Sequence, residues 1–352
     1  MDNTIKRTFV SNSIYHIYLS IIYILKDSNY DVNAVGDNIL FLLDRKGIDK
    51  KMIPFLESHF FRKVYVIPTF DIQKKGIGKI NSLFFRRYSI VPYMEKIMPE
   101  LVKEESFITE SQIIISNPCS AKSYFLYKYP KKSFHGIEDG ARDYRKIHTS
   151  WKIFLRNNIT KKPLEGGDDR RIKTFYAQFP NKLPKKLRKK TKELNALKVI
   201  ANLNNEAKKK VFDTFAFEPI SDLKPGKNAI IITQPISENN IVASETDKIA
   251  IYQEIITSIE DGFHIVLKMH PRETTDYNKY FKSITIFGGS FPLEILSLGK
   301  DVYFDKGYTL FSTSINNIDI IGEKYIVGDK FSDYYTTKRW KNKIKQTVNQ
   351  FK

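Results

Sequence analysis

Short strand-like runs alternate with helical periodicity in two separate stretches of this chain, and that pattern leaves few folds open. In the first half, residues 7–10, 38–43, 63–67, 112–116 and 133–137 are runs of β-branched and aromatic residues. Between them, residues 15–25 and 94–101 repeat apolar side chains at helical spacing. Strand and helix in alternation imply a parallel sheet covered by helices on both faces.

Residues 151–223 change character. Lys, Arg, Asn and Pro crowd this segment, and its apolar residues recur only at helical spacing. It is predicted to be helices and loops connecting two domains, with residues 222–226 as the last turn. Alternation then resumes, with strands expected at 228–233, 263–269, 283–287, 301–304 and 324–327. Ser244 is placed to cap a helix in which Tyr252, Ile255, Ile256 and Ile259 form one apolar face. The expected architecture is α/β, with two Rossmann-like domains facing a cleft lined by the C-terminal ends of both sheets. The boundaries read 1–155 for an N-terminal acceptor-side domain and 156–226 for a basic helical linker region. Residues 227–335 form a C-terminal nucleotide-sugar-binding domain, and 336–352 a C-terminal basic helix.

Charge bears on partners. The 352 residues carry a formal net charge of +19, concentrated at 185–190, 208–210 and 338–345. Such an excess attracts nucleic acid, anionic membrane surfaces or anionic substrates. A nucleic-acid-binding protein is the lesser reading: Tyr124, Tyr127 and Tyr129 are interleaved with Phe125, Leu126 and Lys128 as in a partly buried element, and no recognition motif appears. Docking of the 185–190 run on the inner membrane leaflet and a plain solvated surface stand as equal readings. The single cysteine, Cys119, cannot form an internal disulfide, which points to a reducing, cytoplasmic compartment. The apolar stretch 14–25 is too short to span a bilayer, is interrupted by His16 and Ser20, and lacks a small-residue cleavage site. It reads as the first helix of a domain.

Four constellations carry chemistry. Lys268-Met-His270-Pro271 follows an expected strand, and proline fixes the turn that holds the ring. A histidine there can hydrogen-bond a phosphate oxygen as a leaving group departs. Glu294, beside Pro292 in an expected first helical turn, can accept both hydroxyls of a ribose. Ser312 and Thr313 open another expected helix, where hydroxyls and free N–H groups make a phosphate cradle. Glu138-Asp139-Gly140 follows the fifth strand, so one acid can take backbone hydrogen bonds while the other acts as a general base. Each of these, met alone, is also an ordinary turn or helix start.

Taken in order, the acidic pair with glycine, the His-Pro pair and the paired hydroxyls resemble three short motifs shared by bacterial sialyltransferases. The chain is similar to the lipooligosaccharide and capsule α-2,3-sialyltransferases of glycosyltransferase family fifty-two, and more distantly to bacterial polysialyltransferases. The order of elements covers most of the chain. The resemblance implies a GT-B-type fold and an inverting transfer of sialic acid from CMP-Neu5Ac to a terminal galactose, or similar sugar, of a surface glycan. It implies no metal requirement and a homodimer. Glu138 would be the base and Asp139 the second candidate; alternatively the base comes from the region just before the His-Pro strand, where Glu245 and Asp247 stand. His270 would bind the CMP phosphate as acid or electrostatic stabiliser, with Pro271, Ser312 and Thr313 around the same group. Glu294 would hold the ribose, and Lys268 would lie near the cytosine.

Other residues agree with a metal-free, cofactor-free reaction. No Asp-x-Asp triplet is present, and His16, His59, His135, His148, His264 and His270 show no zinc-like spacing. No Walker loop and no Gly-x-Gly-x-x-Gly follows a strand, and Gly288-Gly289 reads as a loop before a helix at Ser290. A glycosyltransferase using another nucleotide sugar is the alternative within the same fold.

Overall fold

A computed structural model describes residues 5–44, 48–68, 86–116, 120–140, 143–144, 148–160, 163–218, 223, 226–299 and 302–350. Cys119, Asp301 and most of the expected linker turn (222, 224 and 225) lie outside the described residues. The chain divides into two compact units, Met1–Thr214 and Phe215–Lys352.

The first unit is built on a seven-stranded sheet in the order β3-β2-β1-β4-β5-β6-β7, parallel throughout. Its strands are β1 (Lys6–Ser11), β2 (Asp37–Leu43), β3 (Lys63–Ile67), β4 (Gln112–Ser116), β5 (Phe134–Ile137), β6 (Ile172–Ala177) and β7 (Thr191–Glu193). The first five fall where the hydrophobic runs place them. Ile39–Leu43 are buried because helices cover a parallel sheet on both sides. The helix Ile14–Asp27 is buried along almost its whole length, and Ser13 caps it by accepting the His16 N–H at 3.2 Å. The polar residues that interrupt its apolar run are used inside: Ser20 donates to the His16 carbonyl at 2.8 Å, and His16 faces Asn12 at 2.5 Å.

β6 and β7 correct the expected helical linker. Residues 156–214 belong to the first unit and extend its sheet. β6 buries only Ile172, Phe175 and Ala177, and Lys173 is exposed between them, so its strand pattern was hidden by the basic residues around it. A strand near a sheet edge tolerates that mixture.

The second unit carries a five-stranded parallel sheet in the order β10-β9-β8-β11-β12. The strands are β8 (Asn228–Ile232), β9 (His264–Lys268), β10 (Thr285–Phe287), β11 (Phe304–Thr309) and β12 (Ile321–Ile326). The helix Glu245–Thr257 starts at Ser244 in a full capping box with Asp247, and Tyr252, Ile255 and Ile259 are buried as their spacing demands. β11 corrects the strand expected at 301–304: it begins at Phe304 and runs on to Thr309. Asp305 and Lys306 disguise it, yet both are satisfied. Asp305 accepts the Asn228 N–H at 2.8 Å, and Lys306 pairs with Glu260 at 2.7 Å over the Phe263 ring. The helix Lys338–Asn349 buries Ile344 and Val348 and leaves Lys338, Arg339, Lys343 and Lys345 exposed, so its basic run is a solvated face.

In each sheet the strand that comes first in the chain lies inside, and later strands are laid to either side of it. The order therefore reverses between β1 and β4, and again between β8 and β11. The loops outside the C-terminal ends at such a reversal are where open α/β sheets hold ligands.

Candidate active site

Each unit assembles one set of polar side chains at the C-terminal edge of its sheet. In the first unit β5 ends at Ile137, and the Glu138 N–H continues the ladder to the Tyr176 carbonyl at 3.0 Å. Glu138 is 1% exposed. Its carboxylate accepts from the Tyr15 hydroxyl at 3.1 Å, the Gln178 N–H at 3.0 Å and the Tyr144 hydroxyl. Burial pushes this carboxyl above its ordinary range, against the pull of those donors. Glu138 is thereby walled in and fully engaged.

Asp139 differs. Its side chain is 30% exposed, and one oxygen lies 3.0 Å from His16 Nε2, whose other ring nitrogen faces the Asn12 amide. The Asp139 N–H donates to Asp143 at 2.6 Å, and Gly140 turns the chain with φ +75°. Asn12 and His16 follow β1 at the reversal point, so a motif after β5 is completed by residues far away in sequence. The structure thus separates the acidic pair, with Glu138 as the internal anchor and Asp139 as the open carboxylate.

Asp143 is fully buried, and burial, with Asp139 and Glu138 adding to it, pushes its carboxyl up to about 7. A carboxyl raised on folding stabilises the protein fully below its unfolded value of about 4, and that contribution is lost as pH rises through 7. Asp143→Asn keeps an acceptor for the Asp139 N–H without the charge. Denaturant unfolding at pH 5 and pH 8 should show the variant gaining on the wild type by roughly 1–4 kcal/mol at the higher pH.

In the second unit His270 and Pro271 follow β9. The His270 N–H donates to Glu273 at 2.7 Å, and the ring Nδ1 accepts the Arg272 N–H at 3.1 Å. Nδ1 is therefore an acceptor, and the proton sits on Nε2, which is left as a donor. Burial, then the charges of Arg272 and Lys268, lowers the ring to about 4. At neutral pH His270 is an uncharged donor.

A buried network fixes this loop. Glu273 also accepts from the Thr233 hydroxyl and from Tyr277 at 2.8 Å. The ammonium of Lys248, fully buried, lies 3.7 Å from Glu273 and 2.8 Å from Glu238, which also accepts the Thr274 N–H at 3.0 Å. Thr233, Glu238, Lys248 and Glu273 were not singled out from the sequence. An acid two residues past the His-Pro pair, Glu273, was the one local sign of them.

Lys268 is 3% exposed, and its ammonium donates to the Met269 and Gly288 carbonyls, both at 2.8 Å, above the Phe291 ring. Burial brings it down to about 7. It ties the His-Pro loop to the loop after β10. Gly289 lies in that second loop, where an added Cβ would stand 2.7 Å from Pro271 Cα and 3.0 Å from the His270 carbonyl. Backbone cannot yield as a flexible side chain would. Gly289→Ala should cost on the order of tenfold or more in kcat/KM with a small loss in Tm, read by activity assay beside a melting curve.

Glu294 is 3% exposed in the short 3-10 turn Leu293–Leu298 that follows Pro292, and its charge acts on Lys268. Ser312 precedes the 3-10 turn Thr313–Asn317, and its hydroxyl meets that of Ser314 at 2.6 Å. Gln234, after β8, accepts the Phe311 N–H at 2.8 Å and so joins the two strand ends flanking the reversal point. Lys268, His270, Pro271, Glu294, Ser312 and Thr313 thus all follow or end strands at one edge of one sheet. Asp247 is committed to the helix cap, accepting from the Ser244 N–H at 2.9 Å and hydroxyl at 2.8 Å, and Glu245 is exposed in the same turn.

Fold and site together define an α/β protein of two Rossmann-like units, with an acid–imidazole pair after β5 of the first and, in the second, a neutral histidine after β9 and paired hydroxyls after β11. The model of glycosyltransferase family 52 matches residues 70–328, and the chain belongs to that family. It is also 30% identical over 208 residues to an uncharacterized protein of Haemophilus influenzae, a match covering 57% of this chain and 66% of that protein's own length. Among solved structures, UDP-GlcNAc 2-epimerase from Methanocaldococcus jannaschii, in complex with UDP-GlcNAc and UDP, overlaps 98% of this chain and 93% of its own (15% identity, TM-score 0.47). The Neisseria meningitidis UDP-GlcNAc 2-epimerase overlaps 88% and 79% (14% identity, TM-score 0.46). Neither likeness bears on the substrate.

Proposed function

We propose that this glycosyltransferase moves sialic acid from CMP-Neu5Ac to a hydroxyl of a terminal galactose, or similar sugar, on a lipooligosaccharide or capsule glycan, working in the cytoplasm. The observation that carries the reading is the pinned tautomer of His270, a neutral Nε2–H donor held at the edge of the second sheet. A departing monophosphate needs a few fixed donors where charge develops, and an uncharged one costs no reorganisation.

In this reading Asp139 takes the proton of the acceptor hydroxyl, and the His16 imidazole behind it steadies the carboxyl as its charge changes. The acceptor oxygen bonds to the anomeric carbon of sialic acid from the face opposite the phosphate, so the configuration inverts. The bond from that carbon to the phosphate oxygen breaks, and its electron pair leaves with CMP. His270 Nε2–H meets the leaving oxygen, Ser312 and Thr313 hold the phosphate, and Glu294 takes the ribose hydroxyls. Lys268 supports the same loop from beneath. No metal has a part in these steps.

Thermal unfolding with CMP, CDP, UDP and GDP, each with and without EDTA, tests the nucleotide. CMP should raise Tm in proportion to about 2.7 kcal/mol at a hundred times its Kd, and EDTA should change nothing. A rise with UDP or GDP in its place would keep the transferase and discard sialic acid as the sugar.

A further inference from the structure

In the helical segment that follows the acid motif in the chain, none of the residues described by burial is buried. Ser150–Phe154 is α-helical, and Leu155–Thr160 continues it as a π-helix. Trp151 is 67% exposed, Phe154 53% and Ile159 59%, and the two aromatic rings stack at 6.2 Å with planes 23° apart. Single exposed apolar residues need no explanation; three large ones on one short helix do. The segment is held to the first unit by its polar residues. Asn157 donates to the Asp168 carbonyl and accepts the Arg170 N–H, both at 3.0 Å, and Arg156 donates to the Pro163 carbonyl at 3.3 Å.

Charge says what such a face meets. From Tyr144 to Leu164 the sequence contains no Asp or Glu, and it carries Arg145, Lys146, Lys152, Arg156, Lys161 and Lys162. Aromatic and aliphatic side chains flanked by cations, with no acid among them, suit the boundary of an anionic bilayer, where rings sit among headgroups and Lys and Arg meet lipid phosphates. A nucleic acid would give Ile159 nothing to bury against. We propose that Trp151, Phe154 and Ile159 form a docking face for anionic lipid membranes, with Lys152 and Arg156 at headgroup level.

The 185–190 run does not make such a face. Leu187 is buried, Lys190 donates to the Asp169 and Ile172 carbonyls at 3.2 and 2.8 Å, and the other cations stand exposed without an apolar neighbour in the run. It offers a bilayer cations but no exposed apolar side chain.

Co-sedimentation with vesicles, without donor or acceptor, tests the proposal apart from the transferase reading. The full chain should pellet with phosphatidylcholine vesicles containing phosphatidylglycerol and stay free with pure phosphatidylcholine. W151A/F154A/I159A should lower the partition coefficient on the order of a hundredfold. K185E/K186E/R188E/K189E should lower it by less than about tenfold. Because the three apolar side chains are exposed, the Tm of the triple variant should stay within about 2 °C of the wild type. The chain has two tryptophans, so W340F isolates Trp151, and its emission should shift to the blue on anionic vesicles. Equal pelleting of wild type and triple variant, or an unmoved Trp151 emission, overturns the proposal. So does a triple variant that loses only retention on DNA, or only a concentration-dependent dimer, because either would assign the face to another partner. None of these outcomes touches the transferase reading, and a failure of CMP to bind leaves the docking result standing.

Discussion

His270→Ala should lower transfer by about 10²–10³-fold while leaving the melting temperature nearly unchanged. Among the described residues the ring makes one hydrogen bond, from the Arg272 N–H, so the fold loses little with it. His270→Gln carries an amide N–H at a similar reach and should recover part of the loss; an equal loss in both variants would argue against a simple donor. The pH dependence has a definite sign. Burial, then Arg272 and Lys268, lowers the ring to about 4, so the free enzyme keeps it neutral throughout the working range. The acid limb of kcat/KM, which reports the free enzyme, should then lie well below 6.5. A depressed histidine gives stability that is fully present above about 6.5 and lost as pH falls toward 4. Over that interval the wild type should lose stability relative to His270→Ala in denaturant titrations.

Asp139→Asn should remove about 10²–10⁴-fold from kcat with donor binding intact, because an amide cannot accept the proton of the acceptor hydroxyl. Donor affinity, measured by CMP titration, separates this from a collapsed site. Glu138→Gln is expected to act on the fold. Three donors converge on that carboxylate, and an amide turns one acceptor into a donor facing another donor, which costs about 1–3 kcal/mol. Its loss of activity should therefore come with a lower Tm, unlike that of Asp139→Asn. Asp247→Asn weakens a helix cap, worth about 1 kcal/mol, and should leave kcat within a few-fold. A deep loss of kcat in Asp247→Asn, with Asp139→Asn nearly active, would move the base to the second unit. His16→Ala should fall between in kcat, because it removes the ring that stands 3.0 Å from the Asp139 carboxylate.

The fold was legible where local pattern and burial agree. β1–β5 and β8–β10 lie within a few residues of their hydrophobic runs, and the Ser244 cap and its apolar face appear as their spacing demands. β6, β7 and β11 were hidden by their charges: Lys173 of β6 points to solvent, Glu193 of β7 pairs with Lys198, and Lys306 of β11 pairs with Glu260 over the Phe263 ring. The chemistry was legible in part. The motif residues stand at strand ends because short motifs belong to single loops. What they touch could not be read along the chain: His16 meets Asp139, and Lys248 meets Glu273, only because β1 lies inside one sheet and the helix after β8 covers the other. Nor can the chain alone show that Tyr15, Tyr144 and Gln178 close around Glu138 and leave Asp139 open.

The most direct test is release of the nucleotide from a donor panel. CMP-Neu5Ac, UDP-galactose, UDP-GlcNAc and GDP-mannose are each incubated with the full chain and a galactose-terminated acceptor, with and without EDTA. The account predicts acceptor-dependent release of CMP from CMP-Neu5Ac alone, unchanged by EDTA and lowered about 10²–10³-fold in His270→Ala. Turnover of a UDP- or GDP-sugar with none of CMP-Neu5Ac, or a reaction that EDTA stops, would contradict it.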